Sequence, residues 1–159
     1  MNHFELFGLP VSFKIDRSKL AEKYFELQKK YHPDFFTQDT EHEQEQALEI
    51  SSQLNKALKI FKNDEATIKY VLQLKGLLEE EEKYELPPAF LMEMMELNEE
   101  LSDDTATQIA AIEKEIYTQV QPIVENYDDA TGTTADLLKL KEYYYKKKYL
   151  QRILDRIDG

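Results

Sequence analysis

Tyr31-His32-Pro33-Asp34 places an imidazole, a rigid proline and a carboxylate in consecutive positions. Polar side chains are thus displayed in a rigid loop, where function can sit. Asp34 can accept a charge-assisted bond from arginine or lysine, His32 can donate or accept, and Pro33 fixes the backbone between them. A plainer reading is that Pro33 ends a helix and Asp34 caps the turn. Covalent and metal chemistry find little support elsewhere. Histidine occurs only at His3, His32 and His42, with no pair one helical turn apart, and cysteine is absent. That excludes disulfides, thiol catalysis and cysteine-based metal sites, and no metal site is expected. The four glycines are scattered and form no phosphate-binding loop, so ATP binding is not expected. The many carboxylates fall on faces expected to be solvated, which argues against an enzyme.

Two helical faces carry further interaction chemistry. Lys19, Lys23 and Lys30 share one face of the segment before His32, beside its apolar stripe and diluted by Glu26. An ordinary solvated surface with Glu-Lys pairs is the alternative. In the segment after Pro87-Pro88, Phe90, Met94, Leu97 and Leu101 complete a core-facing stripe, yet Leu91, Met92 and Met95 point elsewhere. Glu96, Glu99 and Asp103 fall on the face of Met92, giving apolar side chains beside carboxylates. Burial of Leu91 and Met95 under a neighbouring helix explains the spacing equally well.

The elements that must position these residues read as all-α. Helical periodicity runs through every long segment and no alternating strand pattern occurs. A short helix is expected over about Asn2 to Gly8, and a second, capped by Asp16, over Arg17 to Tyr31, where Pro33 stops it. After a loop to Thr40, a third should cover Glu41 to Lys62, with Ala47, Ser51, Leu54, Leu58 and Phe61 on one face. Asn63-Asp64 marks a break before a fourth helix that ends at Gly76. The run Glu79-Glu80-Glu81-Glu82 and the double proline suggest a linker over 77–87. Beyond it, a helix from Pro88 to about Leu101, interrupted by Ser102-Asp103-Asp104, and helices over Thr105 to Tyr127 and Thr133 to Ile157, separated by Asp128-Asp129-Ala130-Thr131-Gly132, predict a three-helix bundle over 88–159.

Length and charge narrow the classes further. A chain of 159 residues with 42% hydrophobic content can form one domain or two small ones. The net charge of −12 lies almost wholly in the second half: residues 1–75 hold 11 basic and 12 acidic side chains, and 76–159 hold 9 and 20. Such a chain is a poor candidate for nucleic acid, which requires a concentrated basic surface that only Lys139 to Arg156 offers. No membrane-spanning run or signal-peptide pattern is seen, so the cytoplasm is the expected location.

Assembled, these motifs resemble the HscB family of J-domain co-chaperones. Phe4-Glu5-Leu6-Phe7-Gly8-Leu9-Pro10, Tyr31-His32-Pro33-Asp34, Asn55-Lys56-Ala57 and Tyr70-Val71-Leu72-Gln73-Leu74-Lys75-Gly76 are similar to its J domain. Ala89-Phe90-Leu91-Met92-Glu93, Leu97 and Glu99-Glu100-Leu101 are similar to its carboxyl-terminal domain. The resemblance implies a J domain over 1–76, a helical hairpin with its loop, joined to a scaffold-binding bundle. It implies an adaptor, not an enzyme, that stimulates ATP hydrolysis by a DnaK/HscA-type chaperone and delivers the iron-sulfur scaffold IscU to it. Under that resemblance His32, Pro33 and Asp34, with Lys19, Lys23 and Lys30, face the chaperone. Leu91, Met92, Met95, Glu96, Glu99 and Asp103 face the scaffold, with an aromatic contact from one of Tyr143, Tyr144 and Tyr145. Thr67-Ile68 and Phe35 depart from the family's usual residues, which bears on the choice of chaperone. A J-type adaptor for another client and a structural helical binding protein are the alternatives.

Overall fold

A computed structural model describes residues 1–158, among which there are seven α-helices and no strand. They are α1 (His3–Phe7), α2 (Arg17–Tyr31), α3 (Glu41–Phe61), α4 (Asp64–Leu74), α5 (Pro88–Glu99), α6 (Thr105–Asn126) and α7 (Thr134–Asp158). The chain divides into two compact units, the first Met1–Val71 and the second from Leu72 onward.

In the first unit, local chemistry sets the helix ends. The Asp16 side chain accepts from the amides of Ser18 and Lys19, satisfying donors that the first turn of α2 leaves free. At the other end Pro33 turns His32 to an extended conformation, and α2 stops at Tyr31 as predicted. Gly8 closes α1 in the left-handed region at φ 66°, a conformation that glycine adopts without steric cost. Leu20, Ala47, Leu54, Ala57 and Phe61 are buried, so α2 and α3 each turn an apolar stripe inward. Phe4 and Phe7 pack against Phe61 with ring centroids 4.8 and 5.6 Å apart. Tyr70 from α4 accepts the His3 amide at 2.8 Å and stacks on its ring.

Polar ties set the register of the α2–α3 hairpin. Asn55 Oδ1 accepts from the Tyr24 hydroxyl at 2.5 Å and from Gln28 Nε2 at 3.2 Å. The Ser51 hydroxyl donates to Gln28 Oε1. Thr67, nearly fully buried, donates its hydroxyl to the carbonyls of Ile60 and Asn63, which holds the α3–α4 turn.

The second unit buries Ile109, Ile116, Val120 and Val124 of α6 with Leu137, Leu140, Leu150 and Ile153 of α7. Pro88 occupies the first turn of α5, where its missing N–H costs no helical bond. Residues 77–87, expected to be an acidic linker, are in fact fastened to α7. Glu82 pairs with Lys141 at 2.6 Å, and Tyr84 stacks on Tyr145 at 4.5 Å. The Lys141 ammonium, followed by the Glu79 amide, holds the Glu82 carboxyl below its ordinary value. Burial and the neighbouring Glu82 charge push the Tyr145 phenol up to about 12.

Candidate interaction sites

The residues expected as loop are partly helical: Pro33–Phe36 form a single 3-10 turn capped by His32. Proline supplies the required φ, and His32 Nδ1 accepts the Asp34 amide at 3.2 Å. With Nδ1 acting as acceptor, a neutral imidazole carries its proton on Nε2, available to a partner. Asp34 projects outward, its side chain 85% exposed and its Oδ2 3.6 Å from His32 Nδ1. From the far side, Gln44 Nε2 of α3 donates to the carbonyls of Phe36 and Thr37, tying the loop to the hairpin. A charged acceptor is thus held on a braced turn with little to reorganise on binding.

Phe35 is a feature that composition and spacing did not single out as a contact. It is 64% exposed and meets the His32 ring edge to face at 6.2 Å. Its only signal in the sequence was the residue type beside Asp34. On α2, Lys19 and Lys30 are exposed and Lys23 half-buried, with Glu26 exposed among them. Lys30 lies 5.3 Å from the centre of the Tyr31 ring. These cations all belong to the helix that leads into the His-Pro-Asp turn.

In the second unit, α5 separates its methionines sharply. Met94 is fully buried and Phe90 nearly so, whereas Met92 is 64% and Met95 57% exposed. Leu91 is half-buried, and Glu96 and Glu99 are exposed beside them. Asp103 does not lie on this helical face: α5 ends at Glu99, and Asp103 falls in the turn before α6. The turn forms because Thr105 Oγ1 accepts the Ser102 amide and Ser102 Oγ accepts that of Asp104. Leu101, expected to complete the core stripe, consequently lies beyond the helix and is exposed. Tyr143 and Tyr144 are buried, and Tyr145 is half-buried and bonded to Glu82, so all three are engaged within this unit. No group of three His, Asp or Glu side chains suited to a metal ion occurs among the described residues.

A helical hairpin thus presents a braced His-Pro-Asp turn on a chain that continues into a second all-helical unit. A family model described as the HSCB C-terminal oligomerisation domain matches residues 86–158. A co-chaperone protein HscB homolog of Vibrio cholerae is 33% identical over 172 residues, covering all of both chains. A second, from Psychromonas ingrahamii, is 35% identical with 92% of each chain covered. The chain belongs to the HscB family of co-chaperones. Among solved structures, human co-chaperone HscB superposes with a TM-score of 0.77 at 29% identity, covering 99% of this chain and 81% of that one. Chaperone HscB from Vibrio cholerae does so with a TM-score of 0.69 at 29% identity, covering 99% and 96%.

Proposed function

We propose that this co-chaperone is a two-ended adaptor that stimulates ATP hydrolysis by a DnaK/HscA-type chaperone and delivers an IscU-type iron-sulfur scaffold to it. It would act in the cytoplasm, binding no nucleotide and performing no covalent step of its own. Residues 1–76 serve as the J domain, 77–87 connect, and 88–159 bind the scaffold. The observation that carries this reading is the placement of the two exposed sites on two separate compact units.

At the chaperone end, Asp34 accepts from a partner arginine or lysine while the His32 Nε2–H donates alongside it. Lys19, Lys23 and Lys30 supply local attraction that an overall charge of −12 otherwise opposes for an acidic surface. At the scaffold end, Met92, Met95 and Leu91 give an adaptable apolar centre, and Glu96 and Glu99 a charged rim. Asp103 contributes from the turn after α5.

Steady-state ATP hydrolysis by the chaperone, measured with this protein and with or without scaffold, tests the reading. Stimulation by the protein alone, increased further when scaffold is added, is the expected result. Stimulation indifferent to scaffold would favour an adaptor for a different client.

A further inference from the structure

Between α5 and α6 runs an open groove of about 660 Å³ whose walls include Leu97, Leu101 and Ile112. Glu93, Glu96 and Glu100 stand along its α5 side. The three carboxylates are exposed, and Leu101 is exposed where a core position was expected. No lysine or arginine lines the groove, and no ion pair engages Glu93, Glu96 or Glu100 among the described residues. A groove of mixed lining, with Leu97, Leu101 and Ile112 beside Ser102, Gln108 and three unpaired carboxylates, is therefore open to solvent.

Its dimensions favour a stretch of polypeptide over a small ion or metabolite. From Glu93 to the end of α5 at Glu99 is about 9 Å along the helix axis at the usual rise per residue, and Glu100 follows as the residue that caps the helix. That distance matches roughly three residues of extended chain or two turns of a helix. The carboxylates are strung out and do not converge on one point, and among the described residues no acidic group is clustered as a metal site requires. Glu96 belongs both to this groove and to the face that displays Met92 and Met95. A protein seated on that face could pass over Glu96 directly into the groove.

We infer that the groove takes a basic amphipathic segment of the scaffold partner, placing an apolar side chain against Leu97, Leu101 and Ile112 and lysine or arginine beside Glu93 and Glu100. The inference rests on the scaffold reading of α5 and adds to it a second, charge-dependent contact. The methionine face supplies apolar contact with Glu96 and Glu99 at its rim, while Glu93 and Glu100 in the groove extend the selection for positive charge and set the orientation of the partner.

Titration calorimetry of the full-length protein with an IscU-type scaffold, at low and high salt, separates the two contacts. The variant Glu93→Lys/Glu100→Lys should bind roughly threefold to tenfold more weakly at low salt, since each exposed charge pair contributes modestly. Its deficit should shrink at high salt, where exposed charges are screened, and its melting temperature should stay close to that of the parent. Glu93→Gln/Glu100→Gln should show a smaller loss in the same direction. Unchanged affinity and salt dependence in both variants, beside a clear loss in Met92→Ala/Met95→Ala, would overturn the groove while leaving the scaffold reading intact. If the methionine variant also bound normally, the scaffold reading itself would fail.

Discussion

Three methionines within four residues of α5 allow contact and core roles to be separated by one substitution type. Met92 and Met95 are more than half exposed, whereas Met94 is fully buried. In Met92→Ala/Met95→Ala little buried area is lost and alanine favours the helix, so stability should change by only about 0.5 kcal/mol. Scaffold binding should suffer far more. Truncation of a contact anchor costs on the order of 1 kcal/mol or more, and two such losses weaken affinity roughly 30-fold. Met94→Ala should behave in the opposite way. Emptying its site costs about 2–5 kcal/mol, which lowers the melting temperature of a unit this size by roughly 8 °C or more. Thermal melts followed by circular dichroism, paired with scaffold titrations, read both quantities. Full affinity in Met92→Ala/Met95→Ala, or a melting temperature lowered as far as that of Met94→Ala, would refute the assignment of this face to binding.

At the other end, Asp34→Asn should leave the circular dichroism spectrum unchanged and lower chaperone stimulation by roughly tenfold or more, because a charge-assisted bond contributes about 1.5–3 kcal/mol; full stimulation by the variant would remove the turn from the mechanism. Thr67→Val keeps the side-chain shape but removes the donor to the Ile60 and Asn63 carbonyls, so denaturant unfolding should report a loss of about 1 kcal/mol. An unaltered midpoint would mean that those bonds are not needed. Glu82, whose carboxyl titrates below its ordinary value of 4.5, should stabilise the fold above that pH and cease to do so as pH falls through its lowered folded value. Melting temperatures of the parent and Glu82→Gln should therefore differ near neutrality and converge in acid, and a difference independent of pH would contradict the Lys141 pairing.

Where structure follows from neighbours in sequence, the chain was readable. Asp16 and Pro33 announce both ends of α2, and Gly8 and Pro88 mark a helix end and a helix start through backbone preferences alone. The exposed methionines on α5 were legible as surplus apolar residues outside a complete stripe. Periodicity alone did not decide whether a neighbouring helix covered them. Other features depend on contacts between distant segments. Residues 77–87 look like a free acidic connection until Lys141 neutralises Glu82 and Tyr145 receives Tyr84. The sequence places the end of α5 at about Leu101, before Ser102-Asp103-Asp104, and the structure ends it at Glu99, where the Ser102 and Thr105 side chains take up the amides of the following turn. Asp103, one of the three residues of that interruption, therefore cannot share the helical face of Met92 on which its spacing alone puts it. The 3-10 turn at Pro33–Phe36 was likewise hidden, since its brace comes from Gln44 on another helix.

Complementation in trans tests most directly whether one chain must carry both ends of the adaptor. Asp34→Asn retains the scaffold face and Met92→Ala/Met95→Ala retains the His-Pro-Asp turn, so an equimolar mixture contains both functions on separate molecules. Chaperone ATP hydrolysis should be measured with scaffold present, for the parent, each variant and the mixture. If the protein works by tethering scaffold to chaperone, the mixture will give no more than the scaffold-independent stimulation supplied by its intact turn. Recovery of the parent's full, scaffold-enhanced rate by the mixture would show that the two sites act independently and would contradict the adaptor.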